Sequence, residues 1–320
     1  YEMQRSLVGS EMCIRDRQIT GLANLAGGTM RGVQLAGISN ISGNNTVGLS
    51  AAGLVNITGD RTQGVIISGL TSIGGDNTSG LMISGFMNVT GNMASGLHFS
   101  GAANITGQSF GGLMASGLLN VVGEHMNGLQ MAGIANITAS KLNGVQIALC
   151  NYATQARGLQ IGLVNYYKED MKGFQLGLVN ANPDTRVQMM VYGGNATPAN
   201  IGVRFKNQLF YTILGIGSMY QGLNDKFSAS ASYRAGLSFP LYKGLSISGD
   251  LGYQHIEAFD NKDEVIPKRL YALQARANLE YQFTRKFGIF ATGGYGLTRF
   301  YNKSSNYDKG AIIEAGIVLF

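Results

Sequence analysis

Catalysis and metal binding need nucleophiles, bases or ligands at short spacings, and this chain offers few. Its histidines, His98, His125 and His255, lie far apart. None stands at the spacing that lets two imidazoles share a metal ion. Cys150 could serve as a nucleophile only beside a base; without one it reads as a small buried hydrophobe. Asp260, Asp263 and Glu264 could offer oxygens to a hard cation, but a polar segment of this kind reads better as a solvated loop. Gly293-Gly294-Tyr295-Gly296 has the composition of a phosphate-binding loop. It falls inside an alternating strand, however, where glycines mark kinks or close packing. The sequence therefore predicts no catalytic, cofactor-binding or metal-ligating residue, no cofactor and no enzymatic activity.

The charged side chains that stand out are set singly into long alternating segments: Arg204, Lys206, Arg234, Asp250, Arg276, Glu280 and Glu314. Opposite charges so placed can pair inside a narrow barrel, whose interior side chains just fill at eight strands. Arg204, Arg234, Asp250, Arg276 and Glu280 are thus expected in a barrel lumen, where packing is the first reading and a selective pore the alternative. The segments around them carry the argument. Tyr271, Leu273, Ala275, Ala277, Leu279, Tyr281 and Phe283 alternate without error against polar residues, as do Phe227 through Phe239. Such runs exceed the roughly 5–6 residues of an ordinary soluble strand and suffice to cross a bilayer. Aromatics at their ends suit interfacial girdles. Eight strands are expected at about 187–194, 199–206, 208–220, 227–241, 245–258, 269–284, 286–301 and 310–320. Tight turns at 206–208, 242–244 and 284–286 alternate with longer polar connections such as 260–268 and 302–309.

The front of the chain is different. Of 29 Tyr and Phe residues, 21 follow residue 187, and Asn182-Pro183-Asp184 punctuates the change. Before it, glycine recurs every 16 residues from Gly32 to Gly144, with a second column from Gly37 to Gly133 and a third from Gly43 to Gly123. A fixed short period means a solenoid, each repeat packing on its neighbours. Two or three glycines per repeat exclude helices, so each rung is expected to hold two short strands. Alternating pairs (Val33/Leu35, Val65/Ile67, Leu81/Ile83, Leu129/Met131) and the column Ile41, Ile57, Ile73, Val89, Ile105, Val121 and Ile137 are expected to face inward. All charged residues between 18 and 143 (Arg31, Asp60, Arg61, Asp76, Glu124, Lys141) fall in one four-residue window, the exposed turn. Asn24, Asn40, Asn56, Asn88, Asn104, Asn120 and Asn136 share one position, with Ser72 interrupting. Rungs stacked about 4.8 Å apart would let their amides form a ladder. N-glycosylation at sequons such as Asn56-Ile57-Thr58 is the alternative.

After Gly144 the rungs shorten. Gly144-Val-Gln-Ile-Ala-Leu-Cys-Asn151, Gly158-Leu-Gln-Ile-Gly-Leu-Val-Asn165 and Gly173-Phe-Gln-Leu-Gly-Leu-Val-Asn180 resemble the G-V-Q-I-G-L-x-N surface-repeat families of Gram-negative bacteria. That resemblance covers residues 18 to about 180 and implies an envelope location. The segment after 183 resembles OmpA/OmpX-type barrels in strand number and turn pattern. Residues 1–17 are expected to be a sequencing-adapter scar: Leu7 to Asp16 look like the in-frame translation of a transposase-type adapter. Setting them aside removes Cys13 and leaves Cys150 alone. Gly21, Asn24 and Gly27 already fit the register, so further rungs are expected upstream.

The composition agrees with an envelope protein. Gly is abundant at 47 residues, only 13% of residues are charged, and the net charge is +6 without a basic patch, so nucleic acid is not an expected partner. The expected fold is all-β: a β-solenoid of 16-residue repeats over 18–182, then an eight-stranded antiparallel transmembrane β-barrel over 183–320. The expected role is an outer-membrane-anchored structural or adhesive protein. Its expected partners are outer-membrane lipid and, beyond it, other envelope proteins or surface glycans. An autotransporter-like passenger and a small-solute pore are the alternatives. An even strand count puts the repeats in the periplasm; an odd count puts them on the cell surface.

Overall fold

A computed structural model of the 320-residue chain describes residues 8–11, 14–218, 227–259, 269–284, 286–301 and 306–320. The described residues form strands and turns with no helix, divided into two compact units, 1–177 and 178–320.

The first unit is a parallel β-solenoid. Each rung holds a four-residue strand such as Val55–Thr58 and a longer one such as Arg61–Ser68. Successive rungs pair in parallel at the 16-residue offset, so Gly64 lies beside Gly80, Leu81 beside Leu97 and Asn88 beside Asn104. The stretch matching an adapter joins this register: Val8–Glu11 pairs with Ala23–Ala26, and Ile14–Thr20 with Met30–Ala36. The later rungs run as continuous strands, Ala135–Ile147, Cys150–Ile161 and Val164–Leu176. Their shorter period is absorbed in two places. The register slips between Thr138 and Lys141 at the polar turn. At the corner, Ala148-Leu149 does the work of Ala132-Gly133-Ile134.

The first glycine column is obligatory for two reasons. From Gly32 to Gly173 its φ angles run from 107° to 149°, a conformation that L side chains rarely adopt. A Cβ at Gly80 would also stand 2.1 Å from the carbonyl oxygen of Gly64 in the rung before. Here the long strand bends and the rungs touch backbone to backbone.

The alternation in each rung has the opposite sense to the expected one. In the rung 53–68, Asn56, Thr58, Thr62, Ile66 and Ser68 are buried, while Leu54, Val55, Ile57, Val65 and Ile67 are not. The same holds for Val33, Leu35, Leu81, Ile83, Leu129 and Met131, and for Ile41, Ile73, Val89, Ile105, Val121 and Ile137, all of which lie on the outside. The asparagines explain the reversal. An amide needs partners for two N–H groups and an oxygen, and only the interior supplies them. Asn40 Nδ2 donates to Asn56 Oδ1 at 3.0 Å and to the Ala51 carbonyl of the facing strand at 2.8 Å. With asparagine inside, period two forces the aliphatic residues out. A smaller apolar core of Phe110, Met114, Val122, Met126 and Leu142 fills the interior of the later rungs. Cys150, expected to be buried, is exposed, because its column lies on the outer face beside Ala135 and Val164.

The second unit is a closed antiparallel barrel of eight strands. They are Arg186–Gly194, Ala199–Asn207, Phe210–Ser218, Ser228–Tyr242, Leu245–Ala258, Arg269–Thr284, Phe287–Phe300 and Asn306–Leu319. The first and last strands close it through pairs such as Met189 with Leu319. The last strand begins at Asn306 and not near Gly310, because Asp308 and Lys309 continue the ladder opposite Thr298 and Leu297. Asp260, Asp263 and Glu264 lie outside the described residues.

Candidate functional site: the barrel lumen

Alternation along the barrel strands carries charged side chains inward and aliphatic ones outward. Leu251 is 71% exposed, whereas its neighbour Asp250 is 5% exposed. Arg204, Arg234, Asp250, Arg276 and Glu280 all lie buried in the lumen, joined by Glu314. Three arginines from different strands meet three carboxylates. Arg204 makes a two-pronged bond to Glu280, Nη1 to Oε2 at 2.6 Å and Nη2 to Oε1 at 2.9 Å. Arg234 grips Asp250 in the same way, Nε to Oδ1 and Nη2 to Oδ2, both at 2.8 Å. Arg276 donates to Glu314 through Nε at 3.1 Å and Nη2 at 3.2 Å. Glu314 also lies 3.7 Å from Arg234, which links two of the pairs. Planar guanidinium forks match carboxylates in this way, and in a low-dielectric interior such bonds are strong.

Neutral groups complete the network. Tyr211 donates to Asp250 at 2.8 Å, and Asn278 Nδ2 donates to the same oxygen at 2.7 Å. Gln188 accepts from Arg204 Nε at 2.6 Å, and Thr292 donates to Asn278 at 2.6 Å. Lys206, half-buried, donates to Ser238 at 2.9 Å. The Arg204 and Arg234 guanidiniums sit over the rings of Tyr211 and Tyr192. Asn278 was legible from its inward parity. Tyr211 was not, because an aromatic in a membrane strand reads as lipid-facing. Its signal is parity with Ile213, which is buried as well. Apolar clusters share the interior: Met190, Tyr192, Ile213, Phe290 and Val318 in one group, and Ile256, Ala258, Leu270 and Ala272 near the long-loop end.

The barrel exterior carries two aromatic groups at opposite ends. Phe239, Tyr242, Tyr281, Phe283 and Phe287 lie by the tight turns, and Phe227, Tyr253, Phe259 and Tyr301 by the longer connections. His255 belongs to the second group, with Nδ1 2.7 Å from the Tyr301 hydroxyl.

The other histidines are not brought together. His125 is exposed beside Glu124. His98 is buried in the solenoid interior, between Met82 and Met114 of the adjacent rungs. Its ring meets Phe110 edge-on at 4.9 Å. Burial pushes its pKa down from 6.5 to about 4. Among the described residues no three His, Cys, Asp or Glu side chains gather as a metal site would require. A depression of about 370 Å³ on the solenoid is lined by Asn77, Ser79, Ser95, Phe110, Gly111 and Asn127 among others, with no titratable group in it.

The asparagine ladder runs in two stretches. Asn24, Asn40 and Asn56 are linked in series, and Asn88, Asn104, Asn120, Asn136, Asn151 and Asn165 form a second series with Nδ2 to Oδ1 distances of 2.8–3.1 Å. Ser72 breaks the row by bonding to Ser68 at 2.7 Å, and Asn88 Oδ1 is left without a donor among the described residues.

Among solved structures, the chain is similar to the N-terminal β-barrel domain of OprF from Pseudomonas aeruginosa. The identity is 16% over 42% of this chain and 93% of that one, with a TM-score of 0.29. No protein-family model matches the chain, and no curated protein matches it in sequence.

Proposed function

We propose that this chain is a structural or adhesive protein of a bacterial outer membrane, in which a plugged barrel anchors a repeat domain and no catalysis takes place. The observation that carries the reading is the distribution of side chains in the barrel. The outside is aliphatic between two aromatic rims, and the lumen charges are buried and bonded to one another. An apolar belt flanked by aromatic girdles is what a bilayer selects, and backbone groups paired around a closed barrel leave no edge in the lipid. Cell fractionation with gel mobility before and after boiling tests this. The protein is expected with the outer membrane, and its unboiled form is expected to migrate apart from the boiled one. A soluble pool with a single mobility would overturn the reading.

The filled lumen favours an anchor over a pore or a secretion conduit. Planar bilayers holding the purified protein are expected to show no stepwise conductance; steady channels would make the protein a pore. The repeats are assigned to the periplasm. The chain enters the barrel at Arg186 and leaves it at Leu319, both at the end bearing the tight turns, and bacterial barrels keep short turns on the periplasmic side. An epitope tag in the turn at Asn92, near Gly96, should resist external protease on intact cells and be cut after the outer membrane is opened. Lipid is the first partner in this reading, and other envelope proteins or surface glycans come next.

A further inference from the structure

The solenoid presents an outer surface that an aqueous protein does not keep uncovered. The corner after the second glycine column bears Leu22, Ile38, Leu54, Leu70, Phe86 and Leu118, each more than 40% exposed, and the row continues through Ile134, Leu149 and Leu163. Only Ala102 is small. At about 4.8 Å per rung, this strip is roughly 40 Å long and on the order of 400 Å² in area. That alone matches the largest apolar patch of a typical monomer. The outward columns beside it, including Ile67, Leu97 and Met131, widen it further. The charged turns, Asp60-Arg61, Asp76 and Glu124, occupy the opposite end of each rung. The unit therefore has one aliphatic edge and, opposite it, a polar edge that carries the charges at Arg31, Asp60, Arg61, Asp76, Glu124 and Lys141.

We propose that the aliphatic edge of the solenoid is seated in a phospholipid leaflet, so that the repeats lie on the membrane. This rests on the outer-membrane reading above. Three observations favour lipid over a protein partner. The strip lacks the Tyr, Trp and Arg anchors that dominate protein interfaces, and its Leu, Ile and Phe residues match the outer surface of the barrel. The corner backbone is already satisfied from rung to rung, as in Ile38 N to Leu22 O at 2.8 Å and Leu54 N to Ile38 O at 2.9 Å. It can therefore leave water without orphaned amides, the condition lipid imposes. Finally, the last strand paired into the solenoid sheet, Val179–Ala181, ends five residues before the first barrel strand starts at Arg186. The chain between them spans at most about 18 Å, which tethers the solenoid within reach of the bilayer.

The test uses the full chain with Cys13→Ser and Cys150→Ser, reconstituted into phosphatidylethanolamine/phosphatidylglycerol vesicles with brominated acyl chains. Single bimane-labelled cysteines replace Leu54 or Leu118 at the corner, Asp60 or Glu124 at the charged turn, and Leu251 on the barrel. Burial of an edge by 5–10 Å, as for interfacial segments, is expected to quench the corner probes by about half or more. Leu251→Cys should be quenched as well, and the turn probes should not. Far-UV circular dichroism and gel mobility identify variants that fold, and either corner position suffices. Quenching at Leu251→Cys alone would overturn the proposal while leaving the anchor intact. Corner probes shielded from aqueous iodide but untouched by bromolipid would overturn it in favour of a second copy of this chain. Failure at all sites would overturn the anchor reading too.

Discussion

Arg234 shows how much rests on single side chains in the barrel. It is 1% exposed and holds Asp250 through two bonds, with Glu314 close by. Replacing it leaves a buried carboxylate without its cation, which typically costs about 3–5 kcal/mol. Arg234→Met should therefore lower the unfolding free energy of the barrel, read from urea titration in vesicles, by that amount. Substituting both Arg204 and Glu280 with methionine should cost far less, since a whole buried pair is often replaceable. His98 makes the solenoid sensitive to acid. It stays neutral when folded down to about pH 4, whereas the unfolded side chain takes up its proton near 6.5. As pH falls between those values the unfolded state binds more protons, and stability is lost by about 3 kcal/mol over the window. His98→Met, which copies the rungs on either side, should remove that loss. Melting temperatures of both proteins at pH 7.5 and pH 4.5 would measure it.

Rungs and ladders are the elements that carry stability in the first unit. Ser72→Asn should rejoin the two stretches of the asparagine ladder and give Asn88 Oδ1 its missing donor. A net hydrogen bond contributes about 1 kcal/mol, readable as a raised melting temperature. Because each rung contacts only its neighbours, deleting residues 85–100 as a whole should preserve the fold and the circular dichroism per residue. Deleting only the first eight of them, 85–92, should abolish the solenoid, since it puts glycine columns opposite side-chain columns. A Cβ at such a position meets a carbonyl oxygen at about 2 Å, as at Gly112 against Gly96, 2.2 Å.

At the scale of the whole molecule, the two units differ in how they hold together. The solenoid stacks in one dimension, whereas the barrel closes on itself through the pairing of its first and last strands. Denaturant titration in vesicles should show two transitions. The solenoid should unfold first and over a broad range, followed by a sharper loss of the barrel. A single coincident transition by tyrosine fluorescence, which reports mainly the barrel, and by circular dichroism would contradict it. Tyrosine suits the purpose because the chain has no tryptophan and most of its tyrosines follow residue 187.

Much of this was readable from residue types and spacing. The 16-residue glycine columns define the rung, because only glycine tolerates the contact between successive backbones, to which the first column adds a positive φ. Long error-free alternation, tight turns and inward charges define the barrel strands, and Arg204, Arg234, Asp250, Arg276 and Glu280 stand in the lumen by parity alone. Parity says nothing about which charges touch: pairing Arg204 with Glu280 across 76 positions needs the curvature and shear of a closed sheet. It is equally silent on which face of the solenoid is the inside. Period two separates two faces but is symmetric between them. In water the aliphatic face would be placed inward by default. The tertiary structure puts it outward, because the stacked amides find their partners only in the interior.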